Sequence, residues 1–192
     1  MTTPKEDFSG YLSDWQKYQT RKEIDFIRDC VQRSVRNSSP STDPIFVNIG
    51  AGAGTSTIAI LEAYPRGVVF SIDIVASGSE VYTNEHLRLD ESGWAETGRV
   101  IRVWGDSKIV GKLWPTKINL LIVDGGHELD EISGDINVWA DRVKKFGIIM
   151  FHDYNSRHWP KVKEVIDERI ISDEKYEFIG LVDTMIAFVV KK

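Results

Sequence analysis

The stretch Phe46-Val47-Asn48-Ile49-Gly50-Ala51-Gly52-Ala53-Gly54-Thr55-Ser56-Thr57 constrains this chain more than any other. An apolar run passes straight into a turn with glycine at 50, 52 and 54, and a helix start comes at once after it. Glycine lets the backbone turn sharply and approach a ligand without a Cβ in the way, while the first turn of a helix offers unpaired N–H groups. The pattern therefore predicts strand, turn and helix, with a nucleotide-sized cradle at the turn. Such turns also join ordinary strands to helices, so the reading depends on the rest of the chain.

Downstream of the turn, strand and helix signals alternate. Pro44 to Ile49 reads as a strand, Thr55 to Tyr64 as a helix stopped by Pro65, and Val68 to Ile72 as a second strand ending at Asp73. A helix over Asn84 to Ser92 precedes a third strand, Arg99 to Trp104, closed by Gly105-Asp106-Ser107. Ile118 to Val123 is apolar but for Asn119, which predicts a strand buried on both faces, and it ends at Asp124. The next helix carries Leu129, Ile132, Ile136, Trp139 and Val143 on one stripe, with Asp130, Glu131 and Asp135 expected to tend outward. A fifth strand, Gly147 to Phe151, runs into His152-Asp153, and a helix over Trp159 to Ile171 comes after it. The β-rich runs Tyr176 to Val182 and Met185 to Val190 are joined only by Asp183-Thr184, too short a link for a parallel crossover, so they form an antiparallel hairpin. The expected fold class is α/β: a doubly wound, Rossmann-like, seven-stranded and mostly parallel sheet with one antiparallel strand and helices on both faces.

A length of 192 residues suits one such domain. Residues 44–192 would form it, and residues 1–43 an N-terminal helical extension; there Phe8, Leu12 and Trp15, then Ile24, Ile27, Val31 and Val35, recur at helical spacing. Tyr11, Trp15 and Tyr18 could serve as a lid or simply pack. No apolar run approaches the roughly 20 residues of a membrane helix, and Met1 to Asp7 shows no secretory pattern, so a soluble cytoplasmic protein is expected. The single cysteine, Cys30, excludes an internal disulfide and a multi-cysteine zinc site, and a net charge of −5 argues against a large nucleic-acid footprint. A small-molecule partner fits better; a homo-oligomer stays open.

In an open parallel sheet, ligands bind at the carboxyl ends of the strands near the point where the strand order reverses. Here every strand end carries glycine or a polar group. Asp73, 25 residues after Asn48, sits where a carboxylate accepts hydrogen bonds from both ribose hydroxyls. Asp106 and Ser107 are placed either to meet an adenine edge or to cap the helix over Lys108 to Leu113, and both can hold together. Asp124 and Asp153 end adjacent strands, where they either share one hard divalent cation such as Mg²⁺ or cap helices. Tyr154 is a poor ligand for such a cation, which leaves His152 or Asn155 as third ligand. His127 lies three positions after Asp124 in a glycine-flanked turn, and histidine titrates where a general base should. His86 and His158 read as surface residues.

The order of these features resembles the class I S-adenosylmethionine-dependent methyltransferases. The stretch Val123-Asp124-Gly125-Gly126-His127 through Phe151-His152-Asp153-Tyr154 resembles small O-methyltransferases of the macrocin O-methyltransferase and cephalosporin-hydroxylase type. The likeness covers residues 44–190. It implies that Gly50, Gly52 and Gly54 wrap the methionine part of the cofactor, that Asp73 holds the ribose and that Asp106 and Ser107 face the adenine. Asn48, Ala51, Thr55, Ser56, Ile74 and Asp124 complete the implied cofactor-binding set, and Asp124 and His127 the implied catalytic pair. Asn48 departs from the pattern, because relatives carry an acid there. The acceptor would be a small hydroxylated molecule: a sugar, a polyketide-derived compound or a phenol. Two alternatives compete: a non-catalytic S-adenosylmethionine-binding module, and an NAD-dependent oxidoreductase, the latter disfavoured because a dinucleotide fingerprint wants glycine where Thr55 stands.

Overall fold

The computed structural model describes residues 19–36, 41–74 and 80–191. Seven strands form one sheet among them, in the order β3-β2-β1-β4-β5-β7-β6. They are β1 (Ile45–Ile49), β2 (Val68–Asp73), β3 (Val100–Trp104), β4 (Ile118–Val123), β5 (Val143–Phe151), β6 (Tyr176–Val182) and β7 (Met185–Val190). The helices are α1 (Arg21–Val35), α2 (Thr55–Ala63), α3 (Glu80–Glu91), α4 (Ser107–Lys112), α5 (Leu129–Trp139) and α6 (Pro160–Ile166), the last running on into a π-helical turn over Asp167–Ile171.

Neighbouring strands from β3 to β5 pair in parallel, and β7 alone runs antiparallel, inserted between β5 and β6. The chain winds outward from β1 to β3 and then returns to place β4 on the other side of β1. The order thus reverses between β1 and β4, as expected for a doubly wound sheet.

Alternation along β4 explains how both faces are filled. Leu121 and Val123 join one core layer with Ile132, Ile136, Trp139 and Val165, while Leu120 and Ile122 join the other with Ile27, Ile58, Leu61 and Leu89. All six residues of β4 are buried and all but Asn119 are apolar, which is what a central strand with helices on each face requires. Burying one such side chain is worth about 1.5–3 kcal/mol, so these two layers are the main source of stability.

α1 belongs to the second layer. Its stripe Ile24, Ile27, Cys30 and Val31 is buried, and a capping box formed by Thr20 and Glu23 starts it. Its beginning is pinned to the far end of the chain: Thr20 Oγ1 donates to Asp183 Oδ2 at 2.6 Å, and Glu23 Oε1 accepts from Thr184 N at 2.9 Å and Thr184 Oγ1 at 2.8 Å. The expected helix earlier in the extension, with Tyr11, Trp15 and Tyr18, lies outside the described residues.

α5 is shorter than its expected stripe: it ends at Trp139, and Val143 starts β5. Asp135 does not tend outward but is buried (4% exposed), while Leu129 of the supposed apolar stripe is exposed. The helix is covered on a flank as well as beneath, because Ser107 at the start of α4 donates its hydroxyl to the Asp135 carboxylate.

Candidate active site

Above the carboxyl ends of β1 to β4 lies a cavity of about 360 Å³, lined by Gly50, Gly52, Asp73, Ile74, Asp106, Ser107, Asp124 and Asp135 among others. Its floor is the end of β1, held from both sides: Gly50 N donates to Ile72 O of β2 at 2.9 Å, and Asp124 N donates to Ile49 O at 2.9 Å. Gly50 has φ +73, and a Cβ there would stand 1.9 Å from the Asp124 carbonyl oxygen. Only glycine permits that approach of two strand ends. Gly52 N then donates to Asp73 Oδ2 at 2.8 Å, which fastens the turn to the carboxylate at the tip of β2.

The turn is also braced from behind by α3. Buried Arg88 donates through Nη1 to Ala53 O at 2.8 Å and to Thr55 Oγ1 at 2.9 Å. Glu85 accepts from Ser71 Oγ and, at 2.9 Å, from Arg102 Nε. These contacts hold the loop in shape without entering the cavity.

On the β3 side, Asp106 caps α4, its Oδ1 accepting from Lys108 N at 2.8 Å, and both Asp106 and Ser107 line the cavity. Ser107 is held on both sides, by Asp135 and by Trp139 Nε1 donating to its carbonyl at 3.0 Å. Burial pushes the Asp135 carboxyl above its ordinary pKa, against the lowering effect of the Ser107 hydroxyl.

On the β5 side an ionic cluster sits beside Asp124. His152 Nδ1 lies 3.0 Å from Asp124 Oδ1 and 3.2 Å from Asp153 Oδ2, and its Nε2 lies 3.5 Å from Glu23 Oε1. Burial disfavours the imidazolium, yet the three surrounding carboxylates outweigh it and push the His152 pKa up to about 12. Burial likewise raises Asp124, whereas His127 and His152 together hold Asp153 well below the usual carboxylate range despite its burial. Asp153 adopts φ +59, a left-handed conformation that aspartate tolerates better than most residues, at the sharp exit from β5. His127 Nε2 lies 3.0 Å from Asp153 Oδ2, and its ring stacks on Trp159 with centroids 4.4 Å apart and planes 14° from parallel.

The ligand atoms of Asp124, His152 and Asp153 all lie within 4.8 Å of one another, a set of two carboxylates and one imidazole that can hold a divalent cation once the cation displaces the His152 proton. Asn155 is exposed, so of the two candidate third ligands His152 joins the cluster. Other sequence candidates stand back from the cavity. Asn48 is fully buried and faces α2, where its Nδ2 donates to Thr57 Oγ1 at 3.1 Å. Ala51, Gly54, Thr55 and Ser56 build the turn and the start of α2 without lining the cavity. His86 is half-exposed beside Asp90, and His158 is exposed. Sequence reasoning missed Gln19 and Glu23, which reach the cluster from ahead of and within α1, and Asp135 and Trp159; nothing local in the chain marks them.

A family model described as a methyltransferase domain matches residues 47–154, which span β1 through the exit from β5. The chain belongs to that methyltransferase family. Its fold and family are those of the class I S-adenosylmethionine-dependent methyltransferases. The methyltransferase is 32% identical over 163 residues to the uncharacterized protein R132 of Acanthamoeba polyphaga mimivirus, covering 78% of this chain and 73% of that one. Solved structures share the fold at low identity. One is a Staphylococcus aureus protein provisionally assigned as a caffeoyl-CoA O-methyltransferase: TM-score 0.76, 12% identity, 97% of this chain and 93% of that one. Another is the O-methyltransferase NovP: TM-score 0.65, 19% identity, 90% and 81% covered. A third is the MycE methyltransferase of the mycinamycin pathway, solved with Mg, SAH and mycinamycin VI: TM-score 0.64, 14% identity, covering 96% of this chain but 53% of MycE. Among the described residues of the methyltransferase domain, no helix is long and apolar enough to cross a membrane.

Proposed function

We propose that this methyltransferase domain transfers a methyl group to a hydroxyl oxygen of a small molecule, assisted by a divalent cation. The observation that carries the reading is the His127–Asp153 pair beside Asp124, a base and its orienting acid at the edge of the cofactor cavity. The O-methyltransferases among the structural neighbours, and the Mg in the MycE complex, support it.

S-adenosylmethionine supplies a methyl group on a sulfonium, an electrophile that needs an aligned oxygen nucleophile and a route for the hydroxyl proton. The chain's residues fit that cofactor: Asp73 offers its carboxylate to the ribose, Gly50 and Gly52 leave room for close backbone approach, and Asp106 with Ser107 closes the adenine end. His127 is the general base. With Nε2–H donated to Asp153, Nδ1 is the nitrogen left to accept the hydroxyl proton, and the Asp153 carboxylate stabilises the imidazolium that forms. Trp159 keeps the ring in plane by stacking. Asp124, Asp153 and His152 would hold the cation, which lowers the pKa of a hydroxyl it contacts. The nitrogen donor in this set favours a transition-metal ion such as Mn²⁺ over Mg²⁺.

The test is to titrate the protein with S-adenosylhomocysteine and NAD, then to incubate it with S-adenosylmethionine and a panel of sugars, phenols and polyketide-like alcohols. Thioether binding without NAD binding is expected, with a methyl ether as product, and with His127→Asn lowering turnover about 100-fold or more while thioether affinity stays put. Methyl transfer that survives His127→Asn would remove the base from the mechanism, and preferential NAD binding would restore the oxidoreductase alternative.

A further inference from the structure

Gln19 lies just ahead of α1 and is buried (4% exposed) over the glycine turn. Its Nε2 donates to Ser56 Oγ, in the first turn of α2, at 2.6 Å and reaches Asp124 Oδ2 at 3.3 Å. One amide therefore bridges the start of α2 and the end of β4. Its carbonyl Oε1 is buried without a hydrogen-bond partner among the described residues. Interiors seldom leave such an acceptor unmet, so a missing donor is indicated at this point.

The geometry of the cavity indicates which donor. The adenosine end of the cofactor is accounted for by Asp73 and by Asp106 with Ser107, and the cavity then passes Gly52 toward Asp124. The α-amino-acid end then lies past Gly52 beside Asp124, a cavity-lining residue that Gln19 touches, with the start of α2 behind it. That helix begins at Gly54 with no side chain capping its open N–H groups, which suits a carboxylate. Asp124 divides its oxygens here: Oδ1 faces His152 and Oδ2 faces Gln19.

We propose that Gln19 binds the α-amino-acid end of S-adenosylmethionine, its Oε1 accepting from the ammonium and its Nε2 donating to the carboxylate. A primary amide presents one acceptor and two donors and so matches both halves of a zwitterion. In this role Nε2 exchanges its present contacts with Ser56 and Asp124 for the ligand, and the Ser56 hydroxyl becomes a further donor to the carboxylate. Gln19 thereby couples cofactor occupancy to the segment that leads into α1. The assignment rests on the S-adenosylmethionine reading above.

Two thioethers separate the possibilities. S-adenosylhomocysteine carries the amino-acid end, and 5′-methylthioadenosine lacks it while keeping the adenosine and the sulfur. Calorimetric titration of the full chain is expected to show Gln19→Leu weakening S-adenosylhomocysteine about tenfold or more, through loss of hydrogen bonds to charged groups. Binding of 5′-methylthioadenosine should change less than about twofold, which also shows that the variant is folded. Gln19→Glu, which keeps an acceptor for the ammonium but opposes the carboxylate, should also weaken S-adenosylhomocysteine selectively. Unchanged S-adenosylhomocysteine affinity in Gln19→Leu, or an equal loss for both ligands, would overturn the role of Gln19 alone. A wild-type protein that binds neither thioether would overturn the cofactor reading and this assignment with it.

Discussion

Glu23 Oε1 and His152 Nε2 stand 3.5 Å apart, joining the first turn of α1 to the exit from β5. The Glu23 carboxylate also accepts from Thr20 N at 2.8 Å and from both Thr184 N and Oγ1, so one buried acid ties together the start of α1, the ionic cluster and the β6–β7 turn. Removing one partner of a buried ionic contact leaves the other uncompensated, which costs more than the pair is worth in place.

That arrangement sets an acid limit on stability. Burial raises the Glu23 pKa, but the contacts with His152, Thr20 and Thr184 outweigh it and lower the value from 4.5 to about 2. A carboxylate with a depressed folded-state pKa stabilises above its unfolded pKa and loses that contribution as pH falls through the folded value. His152 acts oppositely: raised from 6.5 to about 12, it contributes fully below 6.5 and progressively less as pH rises. With chelator present, urea midpoints should therefore be highest between pH 4.5 and 6.5 and fall toward pH 2. Glu23→Gln should cost about 3 kcal/mol at pH 6 and flatten the acid limb. An acid limb as steep as wild type in that variant would place the titrating group elsewhere.

Close approach, rather than backbone conformation alone, makes Gly50 indispensable. Gly50 and Gly93 have nearly equal φ, +73 and +75, but a Cβ on Gly93 would meet nothing within 4 Å. Gly93→Ala should cost about 1–2 kcal/mol, the left-handed penalty. Gly50→Ala should cost clearly more, about 4 kcal/mol, or prevent folding, because Asp124 must be displaced. Equal costs by chemical denaturation would show that β1 and β4 can separate freely.

Asp73 is expected to dominate cofactor affinity. Asp73→Ala removes the proposed ribose acceptor and frees the Gly52 N–H that now donates to it. Affinity for S-adenosylhomocysteine should fall about 100-fold by calorimetry, corresponding to two charge-assisted hydrogen bonds. A smaller loss than that of Ser107→Ala would mean that the ribose lies elsewhere.

Trp159 should matter to turnover and little to cofactor binding. It is 41% exposed but stacked on His127. Trp159→Ala loosens the ring that Asp153 orients, and a fall in turnover of about tenfold with unchanged S-adenosylhomocysteine affinity is expected. Loss of affinity instead would assign Trp159 to the cofactor cavity.

Cys30 offers a clean reporter of unfolding. It is fully buried on the inner face of α1, and burial pushes its thiol up to about 12. Alkylation by iodoacetamide at pH 8 should be negligible in the native protein and rapid in denaturant. Fast native labelling would show that α1 opens away from α2.

Much of this architecture could be read from the chain because the signals are local. The five apolar residues of β4 require cover on both faces, the two-residue link at Asp183-Thr184 requires a hairpin, and each polar strand tip comes directly from where an apolar run stops. Asp73, Asp106 and Asp124 were legible for that reason: a strand end in a parallel sheet points toward the ligand face whatever its neighbours are. Asp135 was not. A helical stripe tells which side faces the sheet but not whether a second helix covers the flank, and here Ser107 of α4 does. The third member of the acidic cluster was open between His152 and Asn155 because a sharp turn of the backbone at Asp153 decides which of them faces Asp124.

By itself, the sequence determined the strand–turn–helix cradle, the order of elements and the residues at each strand tip, since these depend on backbone freedom and apolar periodicity over a few residues. Tertiary structure alone decided that Gln19 and Glu23 meet Asp124 and His152. Those partners lie more than a hundred positions away, and their meeting depends on α1 packing across the sheet beside α2 with its first turn set against the β6–β7 turn. Side-chain chemistry at one position carries no record of which distant surface the folded core will press against it.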